Sequence, residues 1–178
     1  MKEKKILLLF LVLWSGLSSC NKDYEKDLEY FSTFHPNGKV NTIGTKHLGK
    51  MHGKAFVFYE NGEKWLEHNY EFGVQNGEQL EYRNGRLFSI ENFVEDKRDG
   101  WAKYYDPECV NLLFREGRYS KDKQEGYWVE YYGKAISSVY LYKEDSLMKV
   151  IYKNPDHDQD FDSPPLPPYS GECCCSGK

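Results

Sequence analysis

The chain lacks spaced cysteine pairs, an excess of positive charge, and any hydrophobic run long enough to cross a bilayer. Its five cysteines are Cys20, a solitary Cys109 and the consecutive Cys173, Cys174 and Cys175. A disulfide-stapled small fold needs spaced pairs, so stability must come from packing. The formal net charge is −4, which disfavours nucleic acid, whose recognition needs basic patches. The longest apolar run, Ile6 to Trp14, has nine residues, whereas a membrane-spanning helix takes about 20. Catalytic signatures are missing too: there is no G-x-S-x-G, no H-E-x-x-H and no phosphate-cradling loop. The five histidines, His35, His47, His52, His68 and His157, stand without a partner motif, and His35 and His52 fall at expected turn positions. The chain reads as non-enzymatic, with no cofactor and no metal.

What is present begins with an address. Lys2, Lys4 and Lys5 precede the apolar run, and Leu17-Ser18-Ser19-Cys20 follows it. Basic start, apolar run and small residues make residues 1–19 a secretion signal. The tetrad resembles the bacterial lipobox, which implies that Cys20 becomes the acylated first residue of the mature protein. Each buried acyl CH₂ contributes about 0.8 kcal/mol, and two or more chains hold firmly where one does not. Residues 1–19 carry three lysines and one glutamate, so removing them leaves a net charge of −6. Residues 20–27 form a charged tether. Its Lys22-Asp23 beside Glu25 is similar to the lysine-plus-acid signals that send some lipoproteins to the outer leaflet, which makes the outer membrane the expected location, with surface exposure open; a solvated spacer is the plainer reading.

The informative feature is a repeat. Gly53, Gly77, Gly100 and Gly126 are 24, 23 and 26 residues apart, and Asn37-Gly38, Asn61-Gly62 and Asn84-Gly85 are 24 and 23 apart. Such a period marks a repeat architecture whose units bury their apolar faces against one another. After each glycine comes a short aromatic and β-branched segment, with Phe58, Tyr82, Tyr105 and Tyr131 five residues on and Phe56, Leu80, Lys103 and Val129 three residues on. Positions two apart share a strand face, so this is a half-buried strand pattern. Asn-Gly supplies the two positive φ angles of a type I′ turn and closes each hairpin. Asp106-Pro107-Glu108-Cys109 and Gly133-Lys134 replace it in the last two units. Return strands are expected over 39–46, 63–71, 86–94, 111–119 and 135–143, and a last strand near 147–152. Tyr70, Phe93 and Tyr119 each stand seven residues before the next repeat glycine. With the preceding set they predict one aromatic layer rebuilt per unit: Phe58, Tyr70, Tyr82, Phe93, Tyr105, Tyr119 and Tyr131.

The run His52-Gly53, Phe58-Tyr59-Glu60-Asn61-Gly62, Tyr70 and Asn76-Gly77 resembles the bacterial variant of the MORN repeat, found in proteins often labelled antitoxin-like. The resemblance covers Tyr30 to about Tyr142, and the fourth unit departs from it at Pro107 and Cys109. It implies a long antiparallel meander that curls. The count made from the residues agrees: an all-β, elongated, curled single sheet of about five hairpins over 28–152, with about eleven strands. Sheets beyond ~10 strands tend to curl or split, and a single sheet buries little, which fits 29 aromatic residues in 178.

Residues 153–178 form an acidic, proline-rich and cysteine-rich tail expected to be a disordered arm. Aspartates 156, 158, 160 and 162 suggest calcium, but an EF-hand loop from Asp156 would need glycine and glutamate where Phe161 and Pro167 stand. The sequence therefore reads as a lipid-anchored, non-enzymatic envelope protein that binds a protein or envelope polymer. Two alternatives remain: immunity to an extracytoplasmic toxin, following the antitoxin-like resemblance, and carbohydrate processing by paired carboxylates on the sheet.

Overall fold

In the computed structural model the described residues are 27–106, 108–109 and 112–155. They form β1 (Leu28–Phe34), β2 (Val40–His47), β3 (Lys50–Phe58), β4 (Lys64–Glu71), β5 (Val74–Gln75), β6 (Gly77–Arg83), β7 (Arg86–Val94), β8 (Lys97–Tyr105), β9 (Leu113–Ser120), β10 (Lys123–Tyr132), β11 (Ala135–Lys143) and β12 (Ser146–Lys153). All lie in one antiparallel meander in chain order, with the two-residue β5 pairing only with β4. The sheet is open and curls weakly at most, so β1 and β12 are its two edges. The return strands fall within about two residues of their expected ends.

The turns depart from expectation in an instructive way. Asn84-Gly85 is a type I′ turn, with φ of 52° and 72° between the paired Arg83 and Arg86. Asn37-Gly38 and Asn61-Gly62 are not. There Gly38 N–H donates to His35 O, Gly62 N–H to Tyr59 O, and only the glycines are left-handed, at 82° and 94°. This is the three-residue loop in which a type I turn is followed by an αL residue. The side chains explain the choice: Asn37 Oδ1 accepts Lys39 N–H at 3.0 Å, and Asn61 Oδ1 accepts Glu63 N–H at 2.9 Å. The type I′ turns instead join consecutive units, at Leu48-Gly49, Phe72-Gly73, Glu95-Asp96, Lys121-Asp122 and Glu144-Asp145, where both central residues have positive φ. Strand twist selects this turn even where the sequence offers no glycine.

Gly53, Gly77, Gly100 and Gly126 are not turn residues; the first, third and fourth lie inside β3, β8 and β10, and Gly77 opens β6. Nor is His52 at a turn, since it lies in β3. Where one unit meets the next, the ladder slips: Asn92 faces Asp99, Gly100 and Trp101, and Gly117 faces Gly126, Tyr127 and Trp128. A β-bulge of this kind needs a left-handed residue, and Gly100 supplies it at φ 119°. The carbonyl the bulge would orphan is taken by a neighbouring side chain: Asn92 Nδ2 donates to Trp101 O at 2.9 Å and Asn69 Nδ2 to Glu78 O at 2.6 Å. Across the hairpin each of these glycines pairs with an aromatic residue, Gly53 with Tyr70, Gly77 with Phe93, Gly100 with Tyr119 and Gly126 with Tyr142.

A second bulge recurs once per hairpin. Asn41, Trp65, Phe88, Phe114 and Ser137 are the extra residues, each skipped in the pairing with the facing strand. Three of the five are aromatic.

The expected aromatic layer is in fact two. Phe58, Tyr82, Tyr105 and Tyr131 share the face of Phe56 and Val129, while Tyr70, Phe93 and Tyr119 lie on the opposite face, in register with Gly53, Gly77 and Gly100. It is this opposite face that holds the core. Ala55, Ala102 and Trp128, two residues after a repeat glycine, are 2 %, 1 % and 0 % exposed, whereas Phe56, Leu80 and Val129 are half-buried and Lys103 is exposed. One sheet has no second layer to cover it, so burial arises in the plane. The Trp128 ring lies over Gly117 and clusters with Ala102, Tyr119 and Tyr140.

The units are also tied at their connecting turns. Asp96, Asp122 and Asp145 each accept a backbone N–H from the preceding unit, from Gln75 (2.7 Å), Arg98 (2.9 Å) and Gln124 (2.6 Å). Their own N–H groups return a bond to the carbonyls of the same three residues. Aspartate at the second turn position therefore extends the ladder beyond the strands.

Candidate binding surface

On the core face, the bulges insert aromatics that strict alternation would not place there. Phe88, Tyr104 and Phe114 pack within ring distances of 6.2 to 6.4 Å, and Tyr104 stacks on Trp128 at 6.3 Å. Arginines cap this layer: Arg83 lies 3.3 Å from the Phe88 centroid, Arg98 4.0 Å from Tyr119 and Arg115 4.6 Å from Trp128. Guanidinium on a ring face is attractive and keeps the planar group ordered. Tyr104 donates to Glu91 at 2.6 Å and contacts the Tyr119 hydroxyl at 3.2 Å. Burial, reinforced by those bonds, pushes its phenol far above the usual tyrosine range.

The other face is charged along its midline. Glu67, 7 % exposed, is held by Lys54 at 2.5 Å and Lys64 at 3.4 Å. Burial acts to raise its carboxyl, but the two lysines outweigh it and the net shift is downward. Tyr131 donates to Glu116 at 2.7 Å, and that bond, with burial, pushes its phenol up to about 12. On the same face Trp101 and Tyr127 are 55 % and 59 % exposed, and the edge strand β12 leaves Leu147, Met148, Val150 and Ile151 exposed as well.

Between the β3–β4 and β6–β7 turns lies a cavity of about 410 Å³ lined by Tyr59, Asn61, Glu63, Arg83 and Asn84. Tyr59 stacks on Trp65 at 5.3 Å and 23° and donates to Tyr82 O at 3.2 Å.

The histidines are scattered. His35 Nε2 contacts Phe58 O at 2.9 Å; His47, His52 and Phe72 form a ring cluster with centroids 4.9 to 5.9 Å apart; His68 contacts Gln75 at 3.2 Å, and burial lowers its pKa. Asp106 caps the irregular fourth turn, its Oδ1 accepting Glu108 N–H and Cys109 N–H. Cys109 itself, read as solitary, is 4 % exposed and disulfide-bonded. The signal, Cys20, His157, the tail aspartates and Cys173, Cys174 and Cys175 lie outside the described residues.

Of the expected site residues, the asparagines and glycines of the three Asn-Gly pairs do sit at turns. Those of the first two hairpins face each other, Asn37 Nδ2 donating to Glu60 O at 2.9 Å. Reasoning from alternation missed Trp65, Phe88 and Phe114, although their spacings of 23 and 26 match the repeat. A scan against protein-family models finds no match to this chain, and a search of curated proteins finds none either.

Proposed function

We propose that this is a non-enzymatic repeat protein of the bacterial cell envelope, anchored in the outer membrane through an acylated Cys20, and acting as a binding scaffold for a protein or an envelope polymer. Membership of the MORN-variant repeats belongs to the same proposal. The observation that carries it is the exposure of large aromatic side chains on a sheet one layer thick, Trp101 and Tyr127 among them. Exposed rings of this size, with arginine beside them (Trp101 pairs with Arg118), are the composition that partner-binding surfaces concentrate.

The test is recovery of a partner from native envelopes with the intact lipoprotein, set against the Trp101→Ala/Tyr127→Ala variant. The scaffold reading expects a stoichiometric partner lost from the variant. Turnover of envelope substrates by the purified protein, abolished by substitution of His52 or Glu60, would refute it.

A further inference from the structure

We propose that the cavity between the second and third hairpin turns is a saccharide-binding subsite, which takes one pyranose ring of a neutral glycan on the face of Tyr59. This rests on the scaffold reading and names the class of polymer.

The first reason is a break in the repeat. Each hairpin has one residue just before its turn and one bulge residue after it. In chain order these pairs are His35 with Asn41, Tyr59 with Trp65, Arg83 with Phe88, Asp106 with Phe114, and Tyr132 with Ser137. A position that served only the scaffold would tolerate one solution throughout. Instead the second hairpin carries two stacked aromatics and the third a guanidinium stacked on a ring at 3.3 Å, and the cavity opens where these two meet.

The second reason is that the lining side chains already bond to their neighbours without a ligand. Trp65 backs the Tyr59 ring, and its hydroxyl is pinned to Tyr82 O. Asn61 Nδ2 donates to Glu63 Oε2 at 2.9 Å, so the carboxylate is aimed across the gap. Its Oε1 comes within 3.8 Å of where a side chain on Gly85 would start. Arg83 Nε donates to Glu81 at 2.9 Å, which fixes the plane of a group with further donors to offer.

The third reason is chemical fit. A pyranose presents one apolar C–H face and a rim of hydroxyls that both donate and accept. The site offers one flat ring, a carboxylate acceptor, guanidinium donors and the Asn84 amide. A phosphorylated ligand would face Glu63, and a wholly apolar one would strand Arg83 and Asn84 without water.

The experiment uses the full-length lipoprotein in detergent, probed on an array of neutral pyranose oligosaccharides and then by calorimetry with the best binder. Tyr59→Ala is expected to weaken binding about tenfold, while Tyr59→Phe, which keeps the ring, stays within about threefold of the parent. Asn84→Gly retains the left-handed turn and loses the amide, and a several-fold loss is expected. Lys149→Ala, exposed on β12 and outside the cavity, is expected to have no effect. The proposal is overturned if the folded protein binds no neutral oligosaccharide, if binding survives Tyr59→Ala, or if inorganic phosphate displaces the probe. Recovery of an envelope partner by Tyr59→Ala at parental levels would leave the scaffold reading standing and remove this site. Saccharide binding accompanied by cleavage would do the reverse.

Discussion

Gly117→Ala puts the in-plane burial mechanism to its hardest test. Gly117 has an ordinary strand backbone, so the substitution strains no dihedral. Taken alone it would stabilise by roughly 0.4–1 kcal/mol through the unfolded chain. Against that, the new methyl would sit 2.2 Å from Trp128 Cδ2, well inside the ~3.5–4.0 Å of carbon contact. The indole cannot slide sideways. Tyr104 stacks on it, Tyr119 meets its edge at 5.1 Å, Arg115 covers it, and its Nε1 donates to Arg118 O at 3.2 Å. It must lift. Losing half the burial of a ~200 Å² side chain at ~25 cal/mol/Å² forfeits about 2.5 kcal/mol, and the hydrogen bond adds about 1 kcal/mol. The expected net loss is about 2–4 kcal/mol, seen as a fall in urea midpoint and a drop of roughly 10 °C in Tm. Trp128→Ala alone should cost about 3–5 kcal/mol, and the double variant should be no worse than Trp128→Ala, because the clash has gone. A Gly117→Ala protein within about 0.5 kcal/mol of the parent, or strict additivity in the double variant, would refute the reasoning.

Four further outcomes are expected. Asp122→Gly keeps the left-handed turn but removes the acceptor of Arg98 N–H and its side-chain partner; urea denaturation should register a loss of about 1–2 kcal/mol, and a neutral result would mean the turn ties contribute nothing. The lowered carboxyl of Glu67 stabilises the fold above its ordinary value of 4.5 and ceases to as the pH falls through the lowered value. Stability measured from pH 7 to pH 3 should therefore decline less steeply in Glu67→Gln, and parallel profiles would contradict the assignment. Tyr131, raised to about 12, favours the folded state fully below its unfolded value and loses that contribution as the pH rises through 12, so ultraviolet titration should show a late-ionising phenol that disappears in Tyr131→Phe. For the anchor, Cys20→Ala is expected to move the protein from the membrane pellet to the soluble fraction, and retention in the pellet would exclude acylation there.

The meander was legible in the chain because its signals are local and periodic. Alternating aromatics located β3, β6, β8 and β10, and Arg86–Val94 and Ala135–Lys143 fall on their expected ends. Turn type was harder. Asn-Gly satisfies a type I′ turn at residues 84–85, yet at residues 37–38 and 61–62 a side-chain bond from asparagine to the backbone two residues on favours a three-residue loop. Meanwhile Lys121-Asp122 adopts the conformation Asn-Gly was expected to take.

By itself, the sequence determined the period and the strand count, since each follows from the order of neighbouring residues, whereas the disulfide bond of Cys109, which read as solitary, was not legible in it. Which face carries the core was decided only by tertiary structure. Two bulges per unit change which side chains meet across the sheet, and they do so through pairings with other strands that no local pattern encodes. That is why Trp128 is fully covered while Phe56 is not, and why Tyr59 and Arg83, 24 residues apart, come to line one cavity.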